Sequence, residues 1–250
     1  MTNIIVHGFG RLGRSICAAA EDNSFAVRPV AAIDHTPTND HSFDFPIFAT
    51  PGQCIIDVDV YVDCSCAAAM DGIINHAVAV KKPLVICTTG LDDKILGKIK
   101  TAACDIPVFL SANMSLGINL TAKFAQMAAK ALDGTFDIEI IERHHNQKLD
   151  APSGTAKLLA DAVTGTIGPR DVVCGRNGLQ KRTHGEIGIH SIRGGTIVGE
   201  HTIIFAGPDE IIEIKHAAVS REVFARGALR AASFIATKPP GLYTMDDLLQ

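Results

Sequence analysis

The sequence predicts an α/β protein of two domains: a Rossmann-like parallel sheet at the N-terminus, then an α+β domain built on a mixed or antiparallel sheet. Three observations predict it. In the first half, short β-branched runs alternate with longer Ala-rich stretches, the pattern of βαβ units. The first of those runs passes directly into a glycine-rich turn, Gly8-Phe9-Gly10-Arg11-Leu12-Gly13. Beyond about residue 132 the texture changes to longer strands with period-two alternation, separated by turns such as Gly194-Gly195 and Gly207-Pro208-Asp209.

Taken in order, strands are predicted at Asn3 to His7, Val27 to Asp34, Val58 to Asp63, Leu84 to Cys87 and Val108 to Leu110. Helical composition fills Arg11 to Glu21, Ala67 to Val80 and Asp92 to Ala103, while Lys82-Pro83 and Ile106-Pro107 punctuate the approach to strands. The stretch from Thr36 to Cys54, with its three prolines, reads as a loop carrying at most one short strand. A helix follows from Ser115 to about Leu132. Phe136 to Ile140 then alternates apolar and acidic residues, the mark of a strand with one face buried. Further strands are expected near Ile187 to Arg193, Thr196 to Phe205 and Glu210 to His216. The amphipathic run Ser220 to Ala236 is expected to return to the first domain. The domains are therefore placed at 1–113, completed by 218–250, and at 114–217.

Composition narrows the function classes. A chain of 250 residues can bury a substantial core. A net charge of -4 and a pI near 6.2 leave no cationic excess for a polyphosphate backbone, so nucleic acid is not an expected partner. Trp is absent and aromatic residues make up 5%, which removes base-stacking platforms as well. No run reaches the ~20 apolar residues of a membrane span, and no basic stretch precedes an apolar one at the N-terminus. A cytoplasmic protein without a membrane partner is expected. Its seven cysteines are an odd number in apolar segments, which fits reduced thiols better than a disulfide framework. Cys64 and Cys66 form a CxC pair, but no second pair with short spacing completes a zinc site, so no metal is expected.

The glycine turn carries the first chemistry. A strand, GxGxxG and a helix place the first glycine, Gly8, in a tight turn. The second, Gly10, lies where backbone approaches a pyrophosphate, and the third, Gly13, where helix packs on strand. Asp34 lies 21 residues after Gly13, at the end of the next strand, where a carboxylate binds the adenosine ribose hydroxyls. A 2'-phosphate would be repelled there, so NADH is the expected cofactor. NADPH stays open because Arg11 lies on the same loop. Thr88-Thr89-Gly90 and Ser111-Ala112-Asn113-Met114 follow strands at their carboxyl ends, where open parallel sheets hold ligands. They are candidates for the nicotinamide half, or else helix caps.

The second chemistry lies in the densest polar stretch, Glu142 to Ala156. Ser153, Gly154 and Thr155 precede a helical run, and their hydroxyls and unbonded N–H groups suit a carboxylate. Lys148 adds a positive charge, while His144 and His145 can donate a proton near neutral pH. Neighbours on a strand face opposite ways, so if the strand continues that far one histidine would face the reaction and the other the ligand or scaffold. A helix cap flanked by solvated side chains is the plainer alternative for any one of these residues. The density of two His, one Lys and Ser-Gly-Thr within 12 residues argues against it for the group.

These segments together resemble one family, dihydrodipicolinate reductase of the diaminopimelate and lysine pathway. The resemblance rests on GFGRLG, CTTG, SANMS, ERHHNQKLDAPSGTA and GEIGIHSIRGGTIVGEHTIIF, and spans essentially the whole chain. It implies reduction of a small cyclic dicarboxylate: hydride is delivered to C4 and the resulting enamine is protonated. His144 would be the catalytic acid/base and Lys148 a proton donor, with His145, Ser153, Gly154 and Thr155 on the substrate carboxylates. Gly8, Phe9, Gly10, Arg11, Leu12, Gly13, Asp34, Thr88, Thr89, Gly90, Ser111, Ala112, Asn113 and Met114 would contact the cofactor. A homotetramer built through the second-domain sheets is also implied. Two departures stand out. Asp63-Cys64-Ser65-Cys66-Ala67 replaces the family's Asp-Phe-Thr and Pro, and the chain is short near Thr36 to Cys54. A semialdehyde dehydrogenase would instead need a nucleophilic cysteine beside a positive group, which Cys104 and Cys174 do not show. A nucleotide-binding redox sensor would leave the His-His-Lys-Ser-Gly-Thr cluster unexplained.

Overall fold

A computed structural model describes residues 1–22, 24–36 and 42–250. Residues 37–41, part of the loop expected between Thr36 and Cys54, lie outside the described residues. In chain order the elements are β1 (Thr2–His7), α1 (Arg11–Ala20), β2 (Val27–Ile33), β3 (Ile47–Phe48), β4 (Val60–Asp63), α2 (Met70–Ala79), β5 (Leu84–Ile86), α3 (Asp93–Ala102), β6 (Pro107–Leu110) and α4 (Leu116–Leu132). They continue with β7 (Asp137–His144), α5 (Gly154–Ile167), β8 (Val172–Cys174), β9 (Ile187–Arg193), β10 (Gly199–Ala206), β11 (Ile211–Ala218), α6 (Glu222–Ile235), β12 (Gly241–Tyr243) and α7 (Met245–Leu248). The chain divides into two compact units, Met1–Leu116 with Glu222–Gln250, and Gly117–Arg221.

The first unit is an all-parallel sheet of seven strands in the order β12-β6-β5-β4-β1-β2-β3. Its strands are nearly continuous apolar runs because both faces are covered. Ile4, Val6, Val62, Val85 and Phe109 face α1 and α6, while Ile5, Tyr61, Ile86 and Val108 face α2 and α3. Helix α6 brings Ala225, Ala228, Ala231 and Ala232, all 0% exposed, onto the first face. Its Gly227 permits a close approach, since a Cβ there would lie 1.7 Å from the Met114 carbonyl oxygen. The strand order reverses beside β1, the switch point at which such sheets hold ligands at their carboxyl edge. Elements absent from the sequence reading, β8, β12 and α7, have only three or four residues, too few to display a period.

In the second unit five strands run β11-β10-β7-β9-β8. Strand β10 is antiparallel to β7 and β11, whereas β9 is parallel to β7 and to β8, so the sheet is mixed. For the β7–β9 pair α5 supplies the crossover that a parallel connection requires, whereas the stretch 175–186 alone joins β8 to β9. Ile138, Ile140, Ile189, Ile203 and Phe205 pack against α4 and α5, whose Ala156, Leu159, Ala160 and Val163 recur at helical spacing. Strand β7 runs four residues beyond Ile140, and its alternation continues, placing Glu142 and His144 on the same buried face as Ile138 and Ile140. Among the described residues no helix is long and apolar enough to cross a membrane.

Candidate active site

In the first unit the three loop glycines meet three different surroundings. Gly8 has φ +85°, and a Cβ there would lie 2.6 Å from Ser65 Cα and 2.7 Å from the Cys64 carbonyl oxygen. At Gly13 the obstacle is the Gly8 carbonyl oxygen at 2.2 Å. A Cβ at Gly10 would meet nothing beyond its chain neighbours within 4 Å among the described residues. Gly10 is also the N-cap of α1 and offers no side-chain acceptor, so the amides of Arg11, Leu12 and Gly13 open the helix without intrahelical partners. An open cradle at a helix N-terminus fits a pyrophosphate.

Asp34 completes this loop. Its Oδ2 accepts the Phe9 amide at 2.8 Å and its Oδ1 accepts the Thr36 amide at 3.0 Å. Burial opposes ionisation of Asp34, but those amides outweigh it and hold the carboxyl below its usual range. Asp34 borders a cavity of ≈ 430 Å³ whose other walls include His35, Pro51, Cys66 and Ala69. Among the described residues no lysine or arginine lines it.

Phe9 differs from the other loop residues. Its amide is taken by Asp34, and its ring, 4% exposed, packs edge-on against Phe43 at 5.4 Å with the Arg14 guanidinium 4.8 Å from its centroid. It therefore shapes the loop from behind. Thr88 is buried and Thr89 and Gly90 are exposed beyond β5. Ser111 and Asn113 brace the turn into α4: Ser111 Oγ donates to the Asn113 carbonyl at 2.8 Å, and Asn113 Oδ1 accepts the Ser115 amide at 2.9 Å. Ala112 is exposed, whereas Met114 is buried against α6.

In the second unit a single carboxylate gathers the polar cluster. Glu142 is 0% exposed. Its Oε2 lies 2.6 Å from His144 Nδ1 and 2.7 Å from one Arg193 nitrogen, and its Oε1 accepts from the other Arg193 nitrogen at 2.7 Å and from the Ser153 amide at 3.1 Å. Arg193 also donates to the Asp150 carbonyl at 2.6 Å. Burial pushes the Glu142 carboxyl up, but the hydrogen bonds from Arg193, Ser191, His144 and Ser153 hold it at about 2. Burial lowers the proton affinity of His144, with Lys148 and Arg193 adding to that effect and Glu142 opposing it.

Ser153 caps α5. Its hydroxyl accepts the Ala156 amide at 3.2 Å, lies 3.1 Å from His201 Nε2 and is 1% exposed, so the hydroxyl is committed to the scaffold. Gly154 and Thr155 open the helix and are less buried. Lys148 Nζ pairs with Asp150 Oδ1 at 2.8 Å, and Arg221 donates to His145 Nε2 at 3.4 Å. His144 and His145 thus have separate surroundings, with β7 ending at His144 and His145 lying just beyond it.

Two family profiles match in succession: Dihydrodipicolinate reductase, N-terminus, over residues 2–114, and Dihydrodipicolinate reductase, C-terminus, over residues 117–249. The chain belongs to the dihydrodipicolinate reductase family. Its relatives include the 4-hydroxy-tetrahydrodipicolinate reductase of Clostridium botulinum (strain Eklund 17B / Type B), 48% identical, with 100% of this chain and 98% of the relative covered. The enzyme of the same name from Caldanaerobacter subterraneus subsp. tengcongensis is 46% identical, covering 100% and 99%. A solved structure, dipicolinate-bound dihydrodipicolinate reductase from Paenisporosarcina sp. TG-14, superposes with a TM-score of 0.81 at 25% identity, covering 98% and 97% of the two chains.

Within this reductase family member, four participants escaped sequence reasoning: Glu142, Arg193, Gly199 and His201. Glu142 stood at the start of the polar stretch, and its alternation with His144 was the one available signal. Arg193, Gly199 and His201 lie on β9 and β10, and only strand pairing sets them beside β7. Gly199 stands opposite His144, where a Cβ would come within 3.2 Å of Nε2.

Proposed function

We propose that this chain is a nicotinamide-dependent 4-hydroxy-tetrahydrodipicolinate reductase of diaminopimelate and lysine biosynthesis. The observation that carries the chemistry is that one buried carboxylate, Glu142, holds both His144 and the start of α5, with the charge of Lys148 acting on His144. When bound, the nicotinamide nucleotide would supply hydride to C4 of the conjugated cyclic imine dicarboxylate that remains once the 4-hydroxyl of the substrate has left as water. The amides that open α1 and the Cβ-free Gly10 hold its pyrophosphate, and Asp34 takes the adenosine ribose hydroxyls. Thr88 to Gly90 and Ser111 to Met114 serve the nicotinamide half. On the substrate side, Lys148 and the opening residues of α5, Gly154 and Thr155, meet the carboxylates, assisted by His145. Reduction leaves an electron-rich enamine that needs a proton on carbon, and His144 delivers it. Lys148, paired with Asp150, spreads positive charge along the conjugated system.

NADH is the preferred nucleotide in this reading, because Asp34 and a cavity without lysine or arginine among the described residues oppose a 2'-phosphate. A cytoplasmic homotetramer is the assembly we assign. Ile141, Ile192, Ile204 and Ile211 share the sheet face opposite α4 and α5, with Ile192 45% and Ile211 66% exposed, and an apolar face of that kind suits a second copy.

Loss of reduced-nicotinamide absorbance on adding freshly generated 4-hydroxy-tetrahydrodipicolinate tests the activity, and an unchanged signal would reject it. His144→Gln should lower kcat by roughly 10²- to 10⁴-fold with little change in KM. Lys148→Ala should weaken binding of pyridine-2,6-dicarboxylate. A kcat/KM higher with NADPH than with NADH would refute the Asp34 argument.

A further inference from the structure

We propose that Glu142, held by Arg193, is a positioning residue that fixes which nitrogen of His144 exchanges the proton and how firmly that proton is held. The inference rests on reading His144 as the proton donor. Glu142 touches no ligand-facing space, being 0% exposed, and acts only through what it binds.

The chemistry of the contacts dictates the tautomer. A carboxylate held at about 2 is ionised at any pH at which the enzyme works, so it is an acceptor only. Its 2.6 Å contact with Nδ1 therefore requires the hydrogen to sit on Nδ1, which leaves Nε2 as the atom that gains and gives the mobile proton. The fold keeps room at that atom, since the residue facing Nε2 is Gly199. The same carboxylate accepts the Ser153 amide, so the imidazole and the first turn of α5 are referenced to one anchor. Stability alone does not account for such a pair, because buried ion pairs are often replaceable by apolar residues without loss.

The charged and titratable groups around His144 come from every neighbouring element. Glu142 lies on β7 itself, Lys148 and Asp150 on the segment that follows, Arg193 on β9, His201 on β10 with its ring centroid 5.2 Å away, and His216 on β11 beside His201. Glu142 favours the imidazolium, whereas Lys148 and Arg193 oppose it. Removing the anion and removing the cation should thus move His144 in opposite directions, which a purely structural pair would not do.

The test combines nitrogen-detected NMR of histidine-labelled full-length enzyme with the pH dependence of kcat. In the wild type, His144 should titrate at Nε2 with Nδ1 protonated throughout. Glu142→Gln should abolish that tautomer preference, lower the alkaline limb of the kcat profile by about one pH unit, and reduce kcat at neutral pH roughly ten- to a hundredfold with KM less affected. Arg193→Gln should shift the alkaline limb upward. Shifts in the same direction, or a wild-type His144 bearing its hydrogen on Nε2 at high pH, would overturn the proposal. The wild-type spectrum decides the tautomer even if Glu142→Gln does not fold. Full activity of His144→Gln would remove the donor reading itself, whereas an inactive His144→Gln with an unshifted Glu142→Gln profile would remove only the role of Glu142.

Discussion

Gly10 and Gly13 lie three residues apart in one loop, yet a single methyl group has opposite consequences at the two positions. At Gly13 the methyl would press on the Gly8 carbonyl oxygen at 2.2 Å, a backbone atom with nowhere to go. At Gly10 it would meet nothing beyond its chain neighbours within 4 Å among the described residues. Gly13→Ala should therefore lower the melting temperature of the ligand-free protein, whereas Gly10→Ala should leave it nearly unchanged and weaken NADH binding. Equal melting losses, measured by differential scanning fluorimetry with and without nucleotide, would contradict the assignment of these roles. The tight turn at Gly8 and the close packing at Gly13 were legible from spacing because a turn is a property of consecutive residues. The environment of Phe9 was not. Its ring turns inward to Phe43, and its amide goes to Asp34, a partner 25 residues away.

At the scale of elements, α5 shows a residue whose two readings separate. Ser153 stood in the sequence both as a possible ligand hydroxyl and as a helix cap. Its hydroxyl accepts the Ala156 amide and meets His201 in a setting 1% exposed, which is cap geometry. Ser153→Ala should lower unfolding stability by about 1 kcal/mol, seen as a reduced urea midpoint at constant slope. A midpoint equal to wild type alongside a raised substrate KM would instead make the hydroxyl a ligand group. Strand β7 was found by its alternation but cut short at Ile140, because Glu142 and His144 break the apolar pattern while keeping its phase. A polar residue on a buried face is invisible to a hydrophobic period, and here the exceptions are Glu142 and His144.

At the scale of the whole molecule, buried titratable groups set how the fold responds to acid. His7 and His201 are each lowered from 6.5 to about 4, His7 chiefly by burial with His76 adding to it, His201 by burial and then the neighbouring His144. Between those values the unfolded chain binds protons that the folded one refuses, so stability rises with pH across that window and is lost as pH falls through it. Each histidine costs on the order of 1 to 2 kcal/mol of stability by pH 5. Glu142, lowered from 4.5 to about 2, contributes stability above 4.5 that is lost as pH falls further. All three act in one direction. The urea midpoint should therefore be lower at pH 5 than at pH 7.5, and an equal or higher midpoint at pH 5 would contradict the burial of these groups.

The amino-acid sequence by itself determined the parallel α/β unit, the glycine loop, the carboxylate at Asp34, the return of α6 to the first sheet and the segment from His144 to Thr155. All of these are written in neighbouring residues or in a repeat along one element, where backbone geometry imposes spacing directly. Only the tertiary structure decided that Glu142 anchors His144, Arg193 and Ser153 together, that Gly199 clears Nε2, and that Ser153 serves the helix. Those partnerships depend on the register of β7 against β9 and β10, a pairing across 50 or so residues that no local pattern specifies, because hydrogen bonds between strands are the same whichever side chains they bring face to face.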